Sequence, residues 1–395
     1  MTQFSQRTDW PTATNLLIWR IEEKKRSGVP LIDLTESNPT HCGFGFFNRG
    51  WLEPFSDEKN LSYTPDPHGL LEARQAVSAY YAGKNINVLP EQVFLTASTS
   101  EAYDHILRLL CDPRDRVAIP SPGYPLFDCL AALADVDISR YLLLHDQDMW
   151  RISAEGIRAA FGERLKALVL VNPNNPTGNF VKPSELEVIN ERCRETGTAI
   201  ISDEVFLDFG FHAEGVQPLS LAQNHEVLTF TLSGISKILA LPQMKISWIV
   251  VSGPETLRRK AIERLEIIAD AYLSVNTPSQ HALGAWLGAC GRVQREILER
   301  LAFNRAALFR RFQEDSRVQV LPCEGGWYAV LEIRSGRADE ELAMELLENN
   351  NIIIHPGYFF DFEKGNFLVL SLLLQEKIFQ KGIDRFWAGL NHRKT

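Results

Sequence analysis

The stretch Leu168-Val-Leu-Val-Asn-Pro-Asn-Asn-Pro-Thr-Gly178 decides the fold of this 395-residue chain. Its first part, Leu168–Val171, is a short apolar run of the kind that forms a buried strand. Its second part, Asn172–Gly178, holds two prolines, three asparagines and a glycine, which favour a tight turn with exposed amide side chains. Ligands of open α/β sheets bind outside the carboxyl ends of the strands, so this turn is a candidate ligand contact. A well-made turn without a ligand is the alternative reading of these residues alone.

Apolar runs alternate with amphipathic runs on both sides of this stretch. The predicted strands are Val93–Leu95, Arg116–Ile119, Ala167–Val171, Ala199–Ser202, Val227–Phe230 and Ile246–Val251. The predicted helices between them are Glu101–Leu110, Tyr124–Leu133, Lys182–Glu195 and Glu255–Tyr272. This rhythm is typical of the α/β class, with a mostly parallel sheet covered by helices on both faces.

The two ends of the chain predict a second, smaller unit. Gly291–Ser316 has apolar residues at helical spacing and predicts a long helix that leaves the large domain. Shorter strands and helices follow, and the predicted N-terminal helix, roughly Pro11–Ser27, is expected to pack against them. We therefore expect a large cofactor-binding domain at 40–290 and a smaller α+β domain built from 1–39 and 291–395.

Composition excludes several classes of function. The net charge is −9 with no long basic run, which argues against nucleic-acid binding. No apolar run reaches the roughly 18 residues that a membrane span needs, and the first residues do not resemble a signal peptide. The six cysteines are scattered without a C-x-x-C pair, so neither a metal cluster nor a disulfide framework is expected. A reducing cytoplasm and no metal site are the resulting expectations.

A lysine follows another predicted strand in Thr231-Leu-Ser-Gly-Ile-Ser-Lys-Ile238. A lone lysine is usually a solvated surface charge, but Lys237 is flanked by apolar residues at a strand end. Partial desolvation lowers the pKa of an amine, and the neutral amine can then attack a carbonyl to form a Schiff base.

Two further strand ends carry polar groups. Asp203, in Ile200-Ile-Ser-Asp-Glu-Val-Phe206, either caps a helix or faces a cationic ring nitrogen. Thr99 and Ser100, in Leu95-Thr-Ala-Ser-Thr-Ser-Glu-Ala102, stand at a predicted helix start, where unpaired N–H groups attract an anion such as phosphate. An ordinary N-cap is the alternative there. Together the four stretches supply an amine, an acid, an amide and an anion site that complement one cofactor.

The order of these motifs resembles the fold-type-I aminotransferases of class I and II, from about Asp33 to the C-terminus. N-P-x-N-P-T-G, then S-D-E, then S-K carry the resemblance. It implies that Lys237 holds pyridoxal 5′-phosphate (PLP) as a Schiff base and that Asp203 keeps the pyridine nitrogen protonated. It also implies that Asn175 donates to the phenolic oxygen of the cofactor and that Tyr124 stacks on its ring.

The resemblance extends to the phosphate site and to partners. The residues implied to bind the phosphate are Ser98, Thr99, Ser100, Ser236 and Lys245, with Tyr63 reaching across a homodimer to the neighbouring subunit's site. The implied reaction is amino-group transfer from an amine or amino-acid donor to an oxo acid, in a biosynthetic role. A PLP-dependent lyase or decarboxylase on the same scaffold, or a non-catalytic PLP-binding homologue, are the alternatives.

Three positions depart from the family pattern. Lys245 stands where an arginine is usual, which removes a bidentate fork toward phosphate. Phe206 stands where a tyrosine is usual, so one donor to the phenolic oxygen is gone and we expect the Schiff-base proton to be held more tightly. Val369 stands where an arginine grips the substrate carboxylate. With Tyr358 and Phe359 in a loop near the entrance, this departure suggests a bulky or weakly anionic substrate.

Overall fold

The computed structural model describes residues 4–391 apart from 12, 147–148, 212–217, 335 and 364. The strands are β1 Ile32–Asp33, β2 Val93–Thr96, β3 Arg116–Ser121, β4 Asp137–His145, β5 Trp150–Ile152, β6 Leu165–Val171, β7 Ala199–Asp203, β8 Thr229–Gly234, β9 Ser247–Ser252, β10 Val318–Val320, β11 Tyr328–Ile333, β12 Ile352–Ile353, β13 His355–Pro356 and β14 Phe367–Ser371. The helices are α1 Leu16–Arg26, α2 Leu71–Ala82, α3 Thr99–Leu110, α4 Phe127–Ala134, α5 Ala154–Ala160, α6 Pro183–Thr196, α7 Ile235–Ile238, α8 Glu255–Tyr272, α9 Thr277–Gly288, α10 Cys290–Phe312, α11 Asp339–Asn350 and α12 Glu376–Asn391. The ends of the predicted small domain, 1–3 and 392–395, lie outside the described residues.

An eight-stranded sheet forms the centre of the fold, in the order β2-β9-β8-β7-β6-β3-β4-β5. Its middle strands, from β8 to β4, all pair in parallel. The edge strand β5 is antiparallel to β4, and β9 is antiparallel to both of its neighbours. The predicted α/β class with a mostly parallel sheet is therefore confirmed.

Burial on both faces explains why the middle strands are apolar throughout. In β6, Val169 and Val171 pack into a cluster with helices α3 and α8, whereas Leu168 and Leu170 pack into a cluster on the opposite face. Successive side chains of a strand point to opposite faces, so a strand covered on both sides has no position for a solvated residue.

Four strands end at the same edge of this sheet. Strands β6, β7 and β8 run parallel to one another, and β2 runs parallel to β8 because β9 lies antiparallel between them. The residues that follow these four strands therefore meet along the carboxyl edge, which is where α/β sheets bind ligands.

A second, antiparallel sheet with the order β10-β11-β14-β13 covers this edge. The N-terminal segment joins the C-terminal part of the chain, because β1 pairs in parallel with β12 and α1 packs against α11. Lys24 of α1 donates to the carbonyl oxygen of Glu348 at 3.0 Å, and Arg20 pairs with the carboxylate of the same residue. The domain boundaries at 40 and 290 remain a prediction.

The helices and strands that were not predicted from the sequence are α2, α5, α7, α9, β1, β4, β5 and β13. Strand β4 lies next to the sheet edge, and alternating exposure along it breaks the continuous apolar run that marks the central strands. The N-terminal helix begins at Leu16 and not near Pro11, because the side chain of Asn15 caps it by accepting from Leu17 N at 2.9 Å.

The turn 172–178 is joined to the small sheet through Gly178. This glycine has φ +74°, and a Cβ there would lie 2.6 Å from Cys323 Sγ and also overlap the carbonyl oxygen of Gly325. The carbonyl oxygen of Gly178 in turn accepts from Glu324 N at 3.2 Å. Only glycine allows both the left-handed backbone and this approach of two backbones.

We expect Gly178→Ala to lower the free energy of unfolding by about 2–4 kcal/mol, since the methyl group adds a clash to a strained backbone. Gly197→Ala is the matched control, because Gly197 also has a positive φ, +70°, but has nothing within 4 Å of a Cβ. The control should lose only about 1 kcal/mol. Urea unfolding of both variants measures the difference, and equal losses would show that the approach to 323–325 does not matter.

Candidate active site

Lys237 lies in α7, directly after β8, between the fully buried Ile235 and Ile238. Its Nζ stands 5.0 Å from the ring centre of Trp327 and 5.6 Å from that of Phe206. Burial lowers the pKa of Lys237, and the negative charge of Asp203 opposes this shift only in part. An amine in such surroundings loses its proton more easily than a surface lysine and is then a nucleophile.

Asp203 ends β7, and its carboxyl group is buried. One oxygen accepts from the hydroxyl of Tyr103 at 3.1 Å and the other from Val205 N at 3.2 Å. Burial raises the pKa of Asp203 to about 6, although these hydrogen bonds and Lys237 favour the charged form. A cationic group placed against this carboxyl would restore its ordinary acidity, which suits it to hold a protonated ring nitrogen.

The asparagines of the turn divide into two kinds. Asn172 and Asn174 hold the turn itself, because Asn172 Nδ2 donates to Leu219 O at 2.7 Å and Asn174 Nδ2 donates to Thr177 Oγ1 at 2.8 Å. Asn175 is buried, and its Oδ1 is without a hydrogen-bond partner among the described residues. Asn174 Oδ1 is unpaired as well, but Asn174 Nδ2 is used within the turn. No hydrogen bond joins Asn175 Nδ2 to another described residue, so Asn175 is the amide that can donate to a ligand.

The N-terminus of α3 provides the anion site. The hydroxyl of Ser98 caps the helix by accepting from Glu101 N at 3.2 Å, and Glu101 in turn accepts from Ala97 N at 2.6 Å. No hydrogen bond joins the hydroxyls of Thr99 and Ser100 to any other residue that the structure describes. These hydroxyls and the free N–H groups of the first turn can therefore bind a phosphate.

Tyr124 stands over the same edge. Its ring is 41% exposed and meets Phe127 edge-on at 6.0 Å between ring centres. Partial burial raises the pKa of Tyr124, and the nearby charge of Asp203 adds to the shift. An exposed ring close to the buried carboxyl is placed to cover a flat heterocycle.

An aromatic wall borders Lys237. The ring of Phe206 lies 5.3 Å from that of Trp327 and 6.4 Å from that of Tyr328, so the residue that replaces the usual tyrosine packs among rings. Trp327 thus lies beside the amine, whereas Tyr328 lies beside Phe206 and Phe360. Tyr103 was missed, although it lies one helical turn after Thr99 and so on the same face of α3.

The remaining predicted residues are less engaged. Ser236 is half-buried and precedes Lys237, whereas Lys245 is exposed with φ +52° after a 3-10 turn. Tyr63 lies in a loop with 71% of its surface exposed, so contacts within its own chain leave it free to meet a second chain.

The loop aromatics differ in their placement. The hydroxyl of Tyr358 accepts from Asn15 Nδ2 at 2.8 Å and donates to Glu340 at 3.1 Å, which ties it to α1 and α11. The hydroxyl of Tyr358 is therefore already engaged by these two residues, and a role of Tyr358 in a substrate pocket remains a prediction. Val369 is 1% exposed and packs in a cluster with Leu170 and Val181.

The sequence model described as "Aminotransferase class I and II" matches residues 30–377. The chain belongs to the aminotransferase class I and II family. It is 26% identical over 361 residues to a glutamate-pyruvate aminotransferase, AlaA, of Haemophilus influenzae, which covers 89% of this chain and 88% of that protein. It is also 35% identical over 201 residues to the S-alkyl-thiohydroximate lyase SUR1 of Arabidopsis thaliana, covering 50% of this chain and 42% of that one.

The fold agrees with a solved structure of the same type. The alanine aminotransferase from Pyrococcus furiosus superposes with a TM-score of 0.90 at 24% identity and covers 99% of this chain and 100% of that one. The predicted family and the predicted enzyme class, a transferase of nitrogenous groups, are confirmed. Members of the family use PLP, so the predicted cofactor is confirmed as well.

The residues of this aminotransferase fit PLP. Its aldehyde needs an amine, its ring nitrogen an acid, its phenolic oxygen a donor and its phosphate a set of N–H and hydroxyl groups. Lys237 and Asp203 meet the first two needs, and the Nδ2 group of the buried Asn175, which follows the neighbouring strand β6, can meet the third as a donor. The open first turn of α3 meets the fourth.

Other kinds of site find no support in the part of the chain that the structure describes. No group of three or more His, Cys, Asp or Glu side chains there could hold a metal ion. None of the helices described is long and apolar enough to cross a membrane. A cavity of about 1380 Å³ lies between α2, α9 and residues 207–210 and 218–223, and Lys237 does not line it.

The raised pKa of Asp203 predicts a pH-dependent stability. The folded carboxyl holds its proton up to about pH 6. The contribution of Asp203 to the free energy of unfolding is therefore fully present below its ordinary pKa of 3.8 and is lost as the pH rises through 6. In the cofactor-free protein, Asp203→Asn should therefore gain stability relative to wild type, by up to about 3 kcal/mol, between about pH 4 and pH 7.

Urea unfolding at several pH values measures this gain. Glu204 is also buried with a pKa raised to about 7, but it is present in both proteins and cancels in the comparison. Asp270→Asn, at an exposed carboxylate, is the control and should leave the pH profile unchanged. Parallel profiles for wild type and Asp203→Asn would contradict the prediction.

Proposed function

We propose that this aminotransferase moves an amino group from an amine or amino-acid donor to an oxo acid, with Lys237 as the residue that holds PLP covalently. The observation that carries the proposal is a lysine with a lowered pKa, in an apolar wall, that interacts with the buried carboxyl of Asp203. When bound, PLP carries the amino group and withdraws electrons from the substrate α-carbon.

The side chains around Lys237 have separate roles in this proposal. Once free, Lys237 Nζ would take a proton from the substrate α-carbon and deliver it to the cofactor carbon that is bound to the amino group. The lowered pKa of Lys237 supports this role as a base. Asp203 holds a proton on the ring nitrogen, with its position set by Tyr103 and Val205. Asn175 donates to the phenolic oxygen, and Tyr124 covers the ring. Phe206 adds no donor to that oxygen.

The phosphate is proposed to bind at the start of α3. Ser98 shapes the helix end, Thr99 and Ser100 offer hydroxyl and N–H groups, and the positive end of the helix dipole favours the dianion. Ser236 adds a hydroxyl and Lys245 a point charge without a bidentate fork.

A homodimer with shared sites is part of the proposal. Large apolar side chains are exposed around the loop of Tyr63, and isolated proteins rarely expose such patches without a partner. They include Leu52, Phe55, Leu61, Leu71, Ile267, Tyr272 and Leu273. Tyr63 would then reach the phosphate of the neighbouring subunit.

We also propose a cytoplasmic, biosynthetic enzyme with the two domains divided near 40 and 290. All six cysteines are free, which fits a reducing compartment. The antiparallel sheet on 318–371 and the β1–β12 pairing support a small domain built from both ends of the chain.

A lyase on the same scaffold is the second candidate, favoured by the likeness to SUR1 over half of the chain. A donor screen without acceptor separates the two. An aminotransferase stops after one equivalent of oxo product and regains its starting absorbance when an oxo acid is added. A lyase turns over continuously and releases ammonia.

Lys237→Ala should abolish the covalent attachment of PLP. After incubation with PLP and borohydride, peptide mass spectrometry should find the added mass on the wild-type peptide that contains Lys237 and none in the variant. Lys260→Ala, at an exposed lysine of α8, is the matched control and should keep the adduct. An adduct on another lysine of wild type, or none, would refute the assignment.

Complementation tests the shared site. Lys237→Ala and Tyr63→Ala subunits, each weak alone at limiting PLP, should recover activity when co-expressed with different tags. Mixed dimers contain one site with intact Lys237 and intact partner Tyr63, so about a quarter of all sites should be restored at random assortment. No recovery in isolated mixed dimers would exclude a tyrosine shared between subunits.

A further inference from the structure

The small sheet presents no arginine where the family grips the substrate carboxylate. Val369 occupies that position on β14 and lies in a row across the sheet, paired with Val330 of β11 on one side and His355 of β13 on the other. Residues paired across neighbouring strands carry their side chains on the same face. His355 therefore shares the face of Val369.

This face looks toward the carboxyl edge of the large sheet. Val369 and Val330 pack in one cluster with Leu170 of β6, the strand that leads into the turn 172–178. The residues that alternate with them, such as Leu368 and Leu370, pack in a different cluster on the helical side of the small sheet. His355 consequently faces the region of the site and not the helices behind.

A chain of aromatic rings connects His355 with Lys237. The ring centre of His355 lies 5.8 Å from that of Phe360, and Phe360 lies 6.2 Å from Tyr328. Tyr328 lies 6.4 Å from Phe206, and Phe206 lies 5.6 Å from Lys237 Nζ. The histidine thus stands at the far end of the aromatic wall that begins at the amine.

The polar atoms of His355 are available. Its ring is half-buried between Phe359 and Phe360, and neither ring nitrogen hydrogen-bonds to another of the described residues. A half-buried imidazole among apolar rings gains from an anionic partner, because a charge-assisted hydrogen bond offsets its desolvation.

We propose that His355 binds the substrate's carboxylate in place of the arginine that Val369 replaces. This inference rests on the proposed function and names the recognition of substrate at the same site. A histidinium donates one hydrogen bond to a carboxylate, whereas an arginine donates two parallel ones. An enzyme with this contact therefore discriminates less than one with an arginine against amines that lack a carboxylate.

The carboxylate that acts on His355, that of Asp33, lies 4.0 Å from Lys25 Nζ, so its negative charge is partly compensated. Burial lowers the pKa of His355, and Asp33 at the end of β1 opposes the shift. Asp33 is itself engaged, since one of its oxygens accepts from Thr35 N at 2.9 Å. Asp339, the first residue of α11, is also engaged, because its carboxylate accepts from Tyr358 N at 3.3 Å. A substrate carboxylate therefore arrives at an imidazole whose protonation it promotes.

His41, in the N-terminal segment after β1, is a weaker candidate. Its side chain is 65% exposed, and its Nδ1 lies 3.2 Å from Glu36. The carboxylate of Glu36 would repel a second anion there.

The kinetic test compares two donors in the half-reaction: the amino acid that the wild type uses best, and the amine of identical side chain without the carboxylate. His355→Ala should lower kcat/KM for the amino acid by about tenfold or more and change that for the amine by less than about twofold. His225→Ala, at an exposed histidine, is the matched control and should change neither.

Rescue shows whether the loss concerns charge and not folding. Val369→Arg in the His355→Ala background should restore kcat/KM for the amino acid and leave kcat/KM for the amine unchanged. The reason is that the arginine would face the same region as His355. Equal losses for both donors in His355→Ala, or no rescue by arginine in a folded double variant, would overturn the proposal.

A second readout needs no turnover. In protein labelled at histidine Cε1 with ¹³C, 3-phenylpropionate should shift one resonance that is absent from His355→Gln, and raise the pKa of that residue. If wild type carries PLP on Lys237 but 3-phenylpropionate shifts no His355 resonance, this proposal fails while the proposed function stands. If no donor changes the absorbance of wild type with PLP, the proposed function itself fails.

Discussion

The rest of this structure depends on a pair of oppositely charged groups, Asp203 and Lys237, that are buried at one edge of a parallel sheet. Asp203 and Lys237 both sit in surroundings that disfavour their charged forms, and each only partly relieves the other. Burying such groups destabilises a fold unless ligands or neighbours compensate. Tyr103, Val205 and the aromatic wall hold the two groups in place, so a cofactor that is both an aldehyde and a cation meets a prepared site.

The same edge explains why the small sheet has to lie close. The approach of two backbones at Gly178 seats the turn 172–178 against 323–325, and Trp327 follows directly to contact Lys237. The polar groups that follow the four strands and Trp327 next to the small sheet are thereby brought into one region. The rings of Phe206 and Trp327 lie beside the amine, and burial lowers the pKa of Lys237 more than the charge of Asp203 raises it.

Substitution of a family arginine by Val369 changes the electrostatics more than the packing. The valine fills a cluster with Leu170 and Val181, so the sheet gains apolar contact where it loses a cation. Lys245 and Phe206 are related changes. Lys245 keeps the positive charge of the usual arginine but loses its paired donors, and Phe206 keeps the ring of the usual tyrosine but loses its hydroxyl. Two of the three changes, at Lys245 and Val369, stand where the family pattern has an arginine and so remove the possibility of a bidentate anion contact there.

The sequence by itself determined the α/β class, the order of the central strands' motifs and the chemistry expected of Lys237, Asp203 and Asn175. These follow from local patterns, because buried parallel strands are continuously apolar and turn residues have steric signatures. Strand β4 and helices α2 and α9 were not found, since edge exposure and mixed composition weaken those patterns. Only the tertiary structure decided that Tyr103 bonds Asp203, that Trp327 faces Lys237, that Tyr358 turns to α1 and α11, and that His355 pairs with Val369. Such contacts join residues far apart in the chain, and strand register and domain packing, which no local pattern encodes, bring them together.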